Sequence, residues 1–198
     1  MATIALSAPP TTTLRAGDVD NRATYLSFAL AYVFGHGAAA LSKGTDPLLN
    51  LPGWLPMALL GLGLAAGTVA ATMAALRAQR GADSRDILSG KLLGISWASA
   101  FAALFLAITG ITSLLDRSDL QSVLWPTGAG LVVGLLYLGE GAARRNVLHY
   151  CLGTWLALVS TGALLFDTPG LFWMLTLGGG GGYAIATVLE RRRLATRH

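Results

Sequence analysis

Residues 54 to 76 read WLPMALLGLGLAAGTVAATMAAL and form a long, almost wholly apolar run. It contains no Asp, Glu, Lys or Arg. A helix needs about 20 predominantly apolar residues to cross the hydrocarbon core of a bilayer. This stretch therefore predicts a membrane-spanning helix.

Five other stretches have the same character. The chain is 54% hydrophobic and only 12% charged, whereas a soluble domain carries about 25% charged residues. The sequence predicts an all-α integral membrane protein. Its expected parts are a disordered tail over 1–22, a six-helix domain over 23–190 and a basic tail over 191–198. The six spans are predicted at 23–42, 54–76, 92–115, 122–140, 147–166 and 169–189.

Positive charge lies on one side of these spans. Of the 14 Lys and Arg residues, 12 fall in the two tails and in the second and fourth loops, and only Lys43 and Arg117 fall on the other side. Cytoplasmic loops of membrane proteins carry the excess of Lys and Arg. The sequence therefore predicts that both termini lie in the cytoplasm. The same rule explains the net charge of +4 without a nucleic-acid partner.

Aromatic residues near the predicted span ends fit interfacial belts. Trp and Tyr are enriched where a bilayer meets water. Trp54, Trp125 and Trp173 are assigned to the outer belt, and Tyr25 and Tyr150 to the inner one.

Each even-numbered span contains a GxxxG motif, which lets two helix backbones approach closely in lipid. The three motifs suggest three hairpin repeats whose even-numbered helices pack tightly. The glycine run 178–182 is either such a packing surface or a local break that lines a polar cavity. The packing glycines are Gly63, Gly67, Gly130, Gly134, Gly178 and Gly182.

The odd-numbered spans carry large aromatic residues inside their first half. Phe28, Trp97 and Trp155 lie about 7–12 Å past the predicted starts at 1.5 Å per residue. One interpretation is a hydrophobic constriction at a shared depth, since apolar rings gate pores by dewetting. The other is that these side chains face lipid or fill the bundle core.

Motifs for enzymatic chemistry do not occur. The sequence contains neither HExxH nor GxSxG, so we predict no catalytic residues, no cofactor and no metal site. Glu140, Arg144, Arg145 and His149 form a cluster at the inner ends of spans 4 and 5, which is interpreted as an interfacial group of ion pairs. Cys151 is the single cysteine, which excludes an intrachain disulfide.

His36 is the one ionisable residue predicted near the middle of the membrane. An ionisable group at such a depth is a functional-site hypothesis, and an imidazole suits a proton relay or a bond to a carboxylate. The alternative is a neutral histidine bonded across helices. Ser96 and Ser99 of span 3 are further candidates for a polar pathway.

Parts of the chain resemble the acetate uptake transporters, also called succinate/acetate permeases. Helix 3 of that family has a Gly followed by a Ser-Tyr-Gly-Ser-x-Trp-like run, and here Gly90 precedes the segment 96–101, SWASAF. Span 1 has SFAL over 27–30 where the family has a Gly-Phe-rich start. The family's Asn-Pro-x-Pro-Leu-Gly segment is replaced by DNRAT over 20–24, so the chain resembles a divergent member.

The resemblance implies a six-span transporter that assembles into homo-oligomers, typically hexamers. It also implies a narrow hydrophobic constriction formed by Phe28, Trp97 and a residue at Trp155 or Leu158.

These observations lead to one leading hypothesis and its alternatives. The chain is expected to be a channel or a proton-coupled permease in the bacterial inner membrane, for a short monocarboxylate such as acetate. One alternative is a non-transporting scaffold or accessory subunit. A second is a urea or amide channel of similar size.

Overall fold

The computed structural model describes residues 19–80 and 82–195, and this part of the chain contains helices and no strand. Six helices are long and apolar enough to cross a membrane, which confirms the predicted all-α fold of a multi-pass membrane protein. They are Arg22–Ser42 (helix 1), Leu55–Gln79 (helix 2), Ser84–Leu114 (helix 3), Ser118–Ala143 (helix 4), Val147–Leu165 (helix 5) and Gly170–Ala195 (helix 6).

Two helix ends differ from the predicted bounds by more than five residues. Helix 3 starts at Ser84 because the Asp83 side chain caps it and accepts bonds from the backbone N–H groups of Arg85 and Asp86, at 3.0 and 2.9 Å. Helix 6 continues to Ala195, so residues 191–195 belong to a helix and not to a tail. Residues 1–18 and 196–198 of the predicted tails lie outside the described residues.

Neighbouring helices follow the spatial order 2–1–6–5–4–3, so helices 2 and 3 lie at the two ends of an arc. Helices 1 and 4 also contact each other on the inner side of the arc, where the ring centroids of Tyr25 and Tyr137 lie 6.4 Å apart. One end of the bundle carries Arg22, Arg77, Arg144 and Arg193 and is called the basic end below. The other is called the opposite end.

The glycines of the even-numbered helices allow close approach to odd-numbered helices. Gly134 shows how close: a Cβ there would lie 2.5 Å from the backbone nitrogen of Ala157 on helix 5. These glycines therefore lie at helix contacts, and the contacts are with odd-numbered helices. Gly63 and Gly67 lie against helix 1, whereas Gly130, Gly134, Gly178 and Gly182 lie against helix 5.

Helices 1 and 6 each contain a π-helical segment, over Ala31–His36 and Leu175–Gly180. The two segments pack against each other inside the bundle. The glycine run is thus continuous helix, wound more widely in its first part, and not a break. Such segments are rare and often occur at functional sites, which directs attention to the side chains between them.

Candidate functional site

Four tyrosines from three helices meet in the core of the bundle. Tyr25 and Tyr32 come from helix 1, Tyr137 from helix 4 and Tyr183 from helix 6, and all four are buried. The Tyr183 ring lies at the centre, with its centroid 6.4 Å from that of Tyr25, 5.5 Å from that of Tyr32 and 6.3 Å from that of Tyr137. We call these four residues the tyrosine cluster.

Local sequence explains why the cluster forms. Tyr25 and Tyr32 are seven residues apart, which places them two turns apart on one face of helix 1. Gly179 of helix 6 leaves room for the Tyr32 ring, since a Cβ there would lie 2.5 Å from Tyr32 Cδ1. The glycine run therefore allows aromatic rings to pack directly against the helix 6 backbone.

A carboxylate, an imidazole and a phenol follow one another at the basic end of the cluster. The Tyr25 hydroxyl lies 2.6 Å from His149 Nδ1 in a buried hydrogen bond. The other ring nitrogen, His149 Nε2, lies 3.5 Å from Glu140 Oε2, which is an electrostatic contact too long for a good hydrogen bond. Glu140 Oε1 pairs with Arg144 Nε at 2.9 Å.

The turn between helices 4 and 5 sets this geometry. Arg145 adopts a positive φ of 52°, which reverses the chain within a few residues. Asn146 then caps helix 5, and its side-chain oxygen accepts a bond from the backbone N–H of His149 at 3.2 Å. Helix 5 consequently returns along helix 4 with His149 facing Glu140. The structure thus brings together Glu140, Arg144 and His149 of the predicted cluster, whereas Arg145 is exposed.

His36 extends the cluster towards the opposite end. Its buried ring contacts the Tyr32 ring edge-on at 4.8 Å and stacks on Phe172 at 6.2 Å. The Lys43 ammonium lies 5.3 Å from the centroid of Phe172. Gly35, which precedes His36 in the chain, lies against Leu60 of helix 2.

Together these side chains form a column through the core. In order from the basic end they are Glu140, His149, Tyr25, Tyr137, Tyr183, Tyr32 and His36. Eleven residues of helix 1 separate Tyr25 from His36, or about 16 Å at 1.5 Å per residue. The column therefore covers about half of a ~30 Å hydrocarbon core.

A second polar group joins the basic ends of helices 1 and 6. Glu190 is 0% exposed and pairs with Arg193 Nε at 2.6 Å. The Glu190 carboxylate also accepts a bond from the backbone N–H of Asn21 at 3.2 Å, and Arg193 donates to the Val19 carbonyl at 3.0 Å. A carboxylate here also faces the positive end of the helix 1 dipole.

Asp20 and Arg22 flank this group and form an ion pair with a 2.7 Å contact. Burial by itself would raise the pKa of Asp20, but the hydrogen bonds and the charge of Arg22 outweigh it. The pKa of Asp20 therefore lies below its ordinary value. Around the start of helix 1, each of these carboxylates has a cationic partner.

The predicted constriction residues do not converge. Phe28 contacts Tyr183, with ring centroids 5.5 Å apart, and Trp97 contacts Tyr137 at 5.9 Å, so both border the tyrosine cluster. Trp155 is 50% exposed and Leu158 is 65% exposed on the outer surface of helix 5. Phe28 and Trp97 therefore lie next to the core, whereas the third predicted position, at Trp155 or Leu158, lies on the outer surface.

Trp155 instead makes a hydrogen bond to the backbone of helix 6. Its indole Nε1 donates to the Gly178 carbonyl at 2.8 Å, and its ring covers Gly182. The π-helical winding over Leu175–Gly180 alters the regular pairing of backbone groups. The indole therefore supplies a hydrogen bond to a carbonyl of the widened segment.

The other predicted polar residues lie apart from the column. Ser96 is exposed on helix 3 and donates to the Leu92 carbonyl of its own helix at 2.9 Å, and Ser99 is exposed as well. Only His36 of the predicted polar pathway lies in the core. Tyr25, assigned to an interfacial belt, is completely buried, so that assignment is wrong.

Sequence reasoning missed Tyr32, Tyr137, Tyr183 and Glu190. A signal for Glu190 existed, because it lies seven residues after Tyr183 on the face that also buries Thr187 and Leu194. That spacing marks one helix face. Within residues 19–80 and 82–195, no group of three or more His, Cys, Asp or Glu residues could hold a metal ion.

Comparisons of the chain with protein-family models, with curated proteins and with solved structures find no match. The resemblance to the acetate uptake transporters therefore stays a prediction.

Proposed function

We propose that this chain is a transport protein of the bacterial inner membrane, a proton-coupled permease for a short monocarboxylate such as acetate. The observation that carries the proposal is the buried column of phenol and imidazole side chains from Glu140 to His36. Polar and ionisable groups inside a membrane are costly and tend to mark substrate and proton pathways.

The chemistry of the column suits a carboxylate. Phenol hydroxyls and imidazole N–H groups are hydrogen-bond donors, and donors of this kind can replace the water that a carboxylate loses on entering the bilayer. An isolated carboxylate is very costly to bury. Entry together with a proton removes most of that cost, which favours coupling to protons over free passage of the anion.

The experiment is uptake of radiolabelled acetate into proteoliposomes that contain the purified chain, with and without an inward proton gradient. We expect saturable uptake that the gradient accelerates. Tyr183→Phe removes the central hydroxyl and should lower uptake about tenfold, which corresponds to ~1.4 kcal/mol. Tyr150→Phe is the matched control, since Tyr150 is 41% exposed.

Three results would change the proposal. Uptake no greater than in empty liposomes, with the protein shown to be folded, would contradict transport of acetate. Acetate uptake at the same rate with and without the proton gradient would indicate a channel. Uptake of radiolabelled urea in place of acetate would indicate an amide channel.

A second candidate function is an accessory subunit or scaffold. The observation that favours it is the exposure of helix 3, of which only Ile108 and Thr112 are buried. Such a surface suits contact with lipid, with further copies of this chain in a homo-oligomer, or with another membrane protein. Stoichiometric co-purification of a different membrane protein, with no flux in liposomes, would favour this candidate.

A further inference from the structure

Ser160 lacks the hydrogen bond that many hydroxyl side chains of the spans make. Nine of these donate to a carbonyl one turn earlier in their own helix, as is usual in membrane helices. Ser160 is completely buried, and its Oγ has no hydrogen-bond partner in the described part of the chain. The nine are Ser42, Thr72, Ser96, Thr112, Thr127, Thr154, Thr161, Thr176 and Thr187.

An unsatisfied buried hydroxyl is costly, at about 1–3 kcal/mol. Thr24, at the basic end, is the other buried hydroxyl of this kind. What distinguishes Ser160 is that a second hydroxyl, that of Tyr32, also lies close to Gly130.

Three helices meet at the Ser160 hydroxyl. A Cβ on Gly130 of helix 4 would overlap Ser160 Oγ of helix 5 and would lie 3.3 Å from Tyr32 Oη of helix 1. Because Gly130 has no side chain, the Ser160 and Tyr32 hydroxyls, from two different helices, can both lie close to the helix 4 backbone. The Tyr32 ring also contacts His36, so this place lies near the His36 end of the column.

We propose that Ser160 and Tyr32, beside Gly130, form a binding subsite for the carboxylate group of the transported solute. The proposal rests on the proposed function and deepens it. Two O–H donors converging on one carboxylate make charge-assisted hydrogen bonds, which are roughly twice as strong as neutral ones. A bound carboxylate supplies the acceptor that Ser160 lacks within the protein.

The first test is the concentration dependence of acetate uptake by proteoliposomes. Removal of one donor that contacts bound solute raises KM with little change in the maximal rate. We expect Ser160→Ala to raise KM about tenfold, the change expected from a lost charge-assisted bond of ~1.4 kcal/mol. Thr161→Ala is the matched control, because Thr161 is exposed and bonds to its own helix.

The second test is equilibrium binding of radiolabelled acetate and of radiolabelled urea to the purified chain in detergent. Acetate binding should weaken about tenfold in Ser160→Ala and stay unchanged in Thr161→Ala. Gly130→Ala should also weaken it, since a methyl group there would collide with Ser160 Oγ and displace it. This measurement needs no transport, and thermal unfolding of each variant shows that it is folded.

The outcomes separate the two proposals. Acetate uptake by the native chain with KM and binding unchanged in Ser160→Ala would overturn the subsite and leave the proposed function standing. Binding of urea alone, dependent on Ser160, would overturn the carboxylate as ligand. A native chain that neither binds nor transports acetate would overturn both.

Discussion

Helix 1 and helix 3 are both apolar enough to cross a membrane, but they occupy opposite environments. In helix 1, 61% of the most apolar stretch is buried inside the bundle, against 6% in helix 3. Helix 1 nevertheless has the lowest mean hydropathy of the six helices and helix 3 has the highest. The helix that looks most like a hydrophobic core segment is the one that lies on the outside.

The other helices follow the same trend without exception. In order of decreasing mean hydropathy the helices are 3, 2, 4, 5, 6 and 1, and burial increases in the same order. The physical reason is that lipid tails are as apolar as leucine, so there is no hydrophobic gain from burying leucine inside. Polar side chains such as Tyr25, His36 and Glu190 instead need partners that only the interior provides.

The largest effect is expected where a buried charge loses its partner. Arg193→Ala leaves the fully buried Glu190 without its ion pair, and breaking such a pair costs about 3–5 kcal/mol. Arg85→Ala, at the exposed start of helix 3, should change stability by less than about 0.5 kcal/mol. Unfolding of the purified chain in detergent by added SDS measures both. Equal losses of stability would contradict the contrast between the buried surroundings of helix 1, which Glu190 contacts through Asn21, and the exposed helix 3.

Glycine substitutions should sharpen the same contrast. Gly134→Ala places a Cβ 2.5 Å from the Ala157 nitrogen, so helices 4 and 5 must separate, at a cost of about 1–3 kcal/mol. Gly94 of helix 3 has nothing within 4 Å of the added Cβ, and Gly94→Ala should stay within about 1 kcal/mol of the native stability. Thermal unfolding followed by tryptophan fluorescence would show the difference, and a loss at Gly94 as large as that at Gly134 would argue against an exposed helix 3.

A single buried hydroxyl should have a moderate effect. Tyr25→Phe removes the partner of His149 Nδ1 and leaves that buried nitrogen unsatisfied, which costs about 1–3 kcal/mol. Tyr150→Phe removes a hydroxyl from an exposed ring and should be nearly neutral. If both variants unfold at the native temperature, the bond between Tyr25 and His149 does not contribute to stability.

The smallest effect is expected on the outer surface of helix 3. Ser96 is exposed and bonds only to the Leu92 carbonyl of its own helix, so Ser96→Ala should change stability by less than about 0.5 kcal/mol. Acetate uptake by this variant should equal that of the native chain. A clear loss of uptake would return Ser96 to the polar pathway that the sequence suggested.

The candidate site was predicted only in part, for identifiable reasons. His36 was found because an ionisable residue inside an apolar stretch is conspicuous, and the cluster of Glu140 with His149 because both lie beside one short turn. Tyr32, Tyr137 and Tyr183 were missed because tyrosine occurs both at membrane interfaces and in buried cores. These tyrosines meet only because helices 1, 4 and 6 are neighbours in the bundle. The sequence of a single helix does not reveal which helices will be its neighbours.

The amino-acid sequence alone predicts six membrane-spanning helices, because a run of about 20 apolar residues in a bilayer is stable as a helix that crosses it. It also contained, in the hydropathy of each stretch, the order in which the helices are exposed to lipid. Only the tertiary structure decided that the glycines of helices 2, 4 and 6 pack on helices 1 and 5, and that Trp155 binds the Gly178 carbonyl. Packing between helices in lipid depends on the shapes of two facing surfaces, and a single sequence pattern describes only one of them.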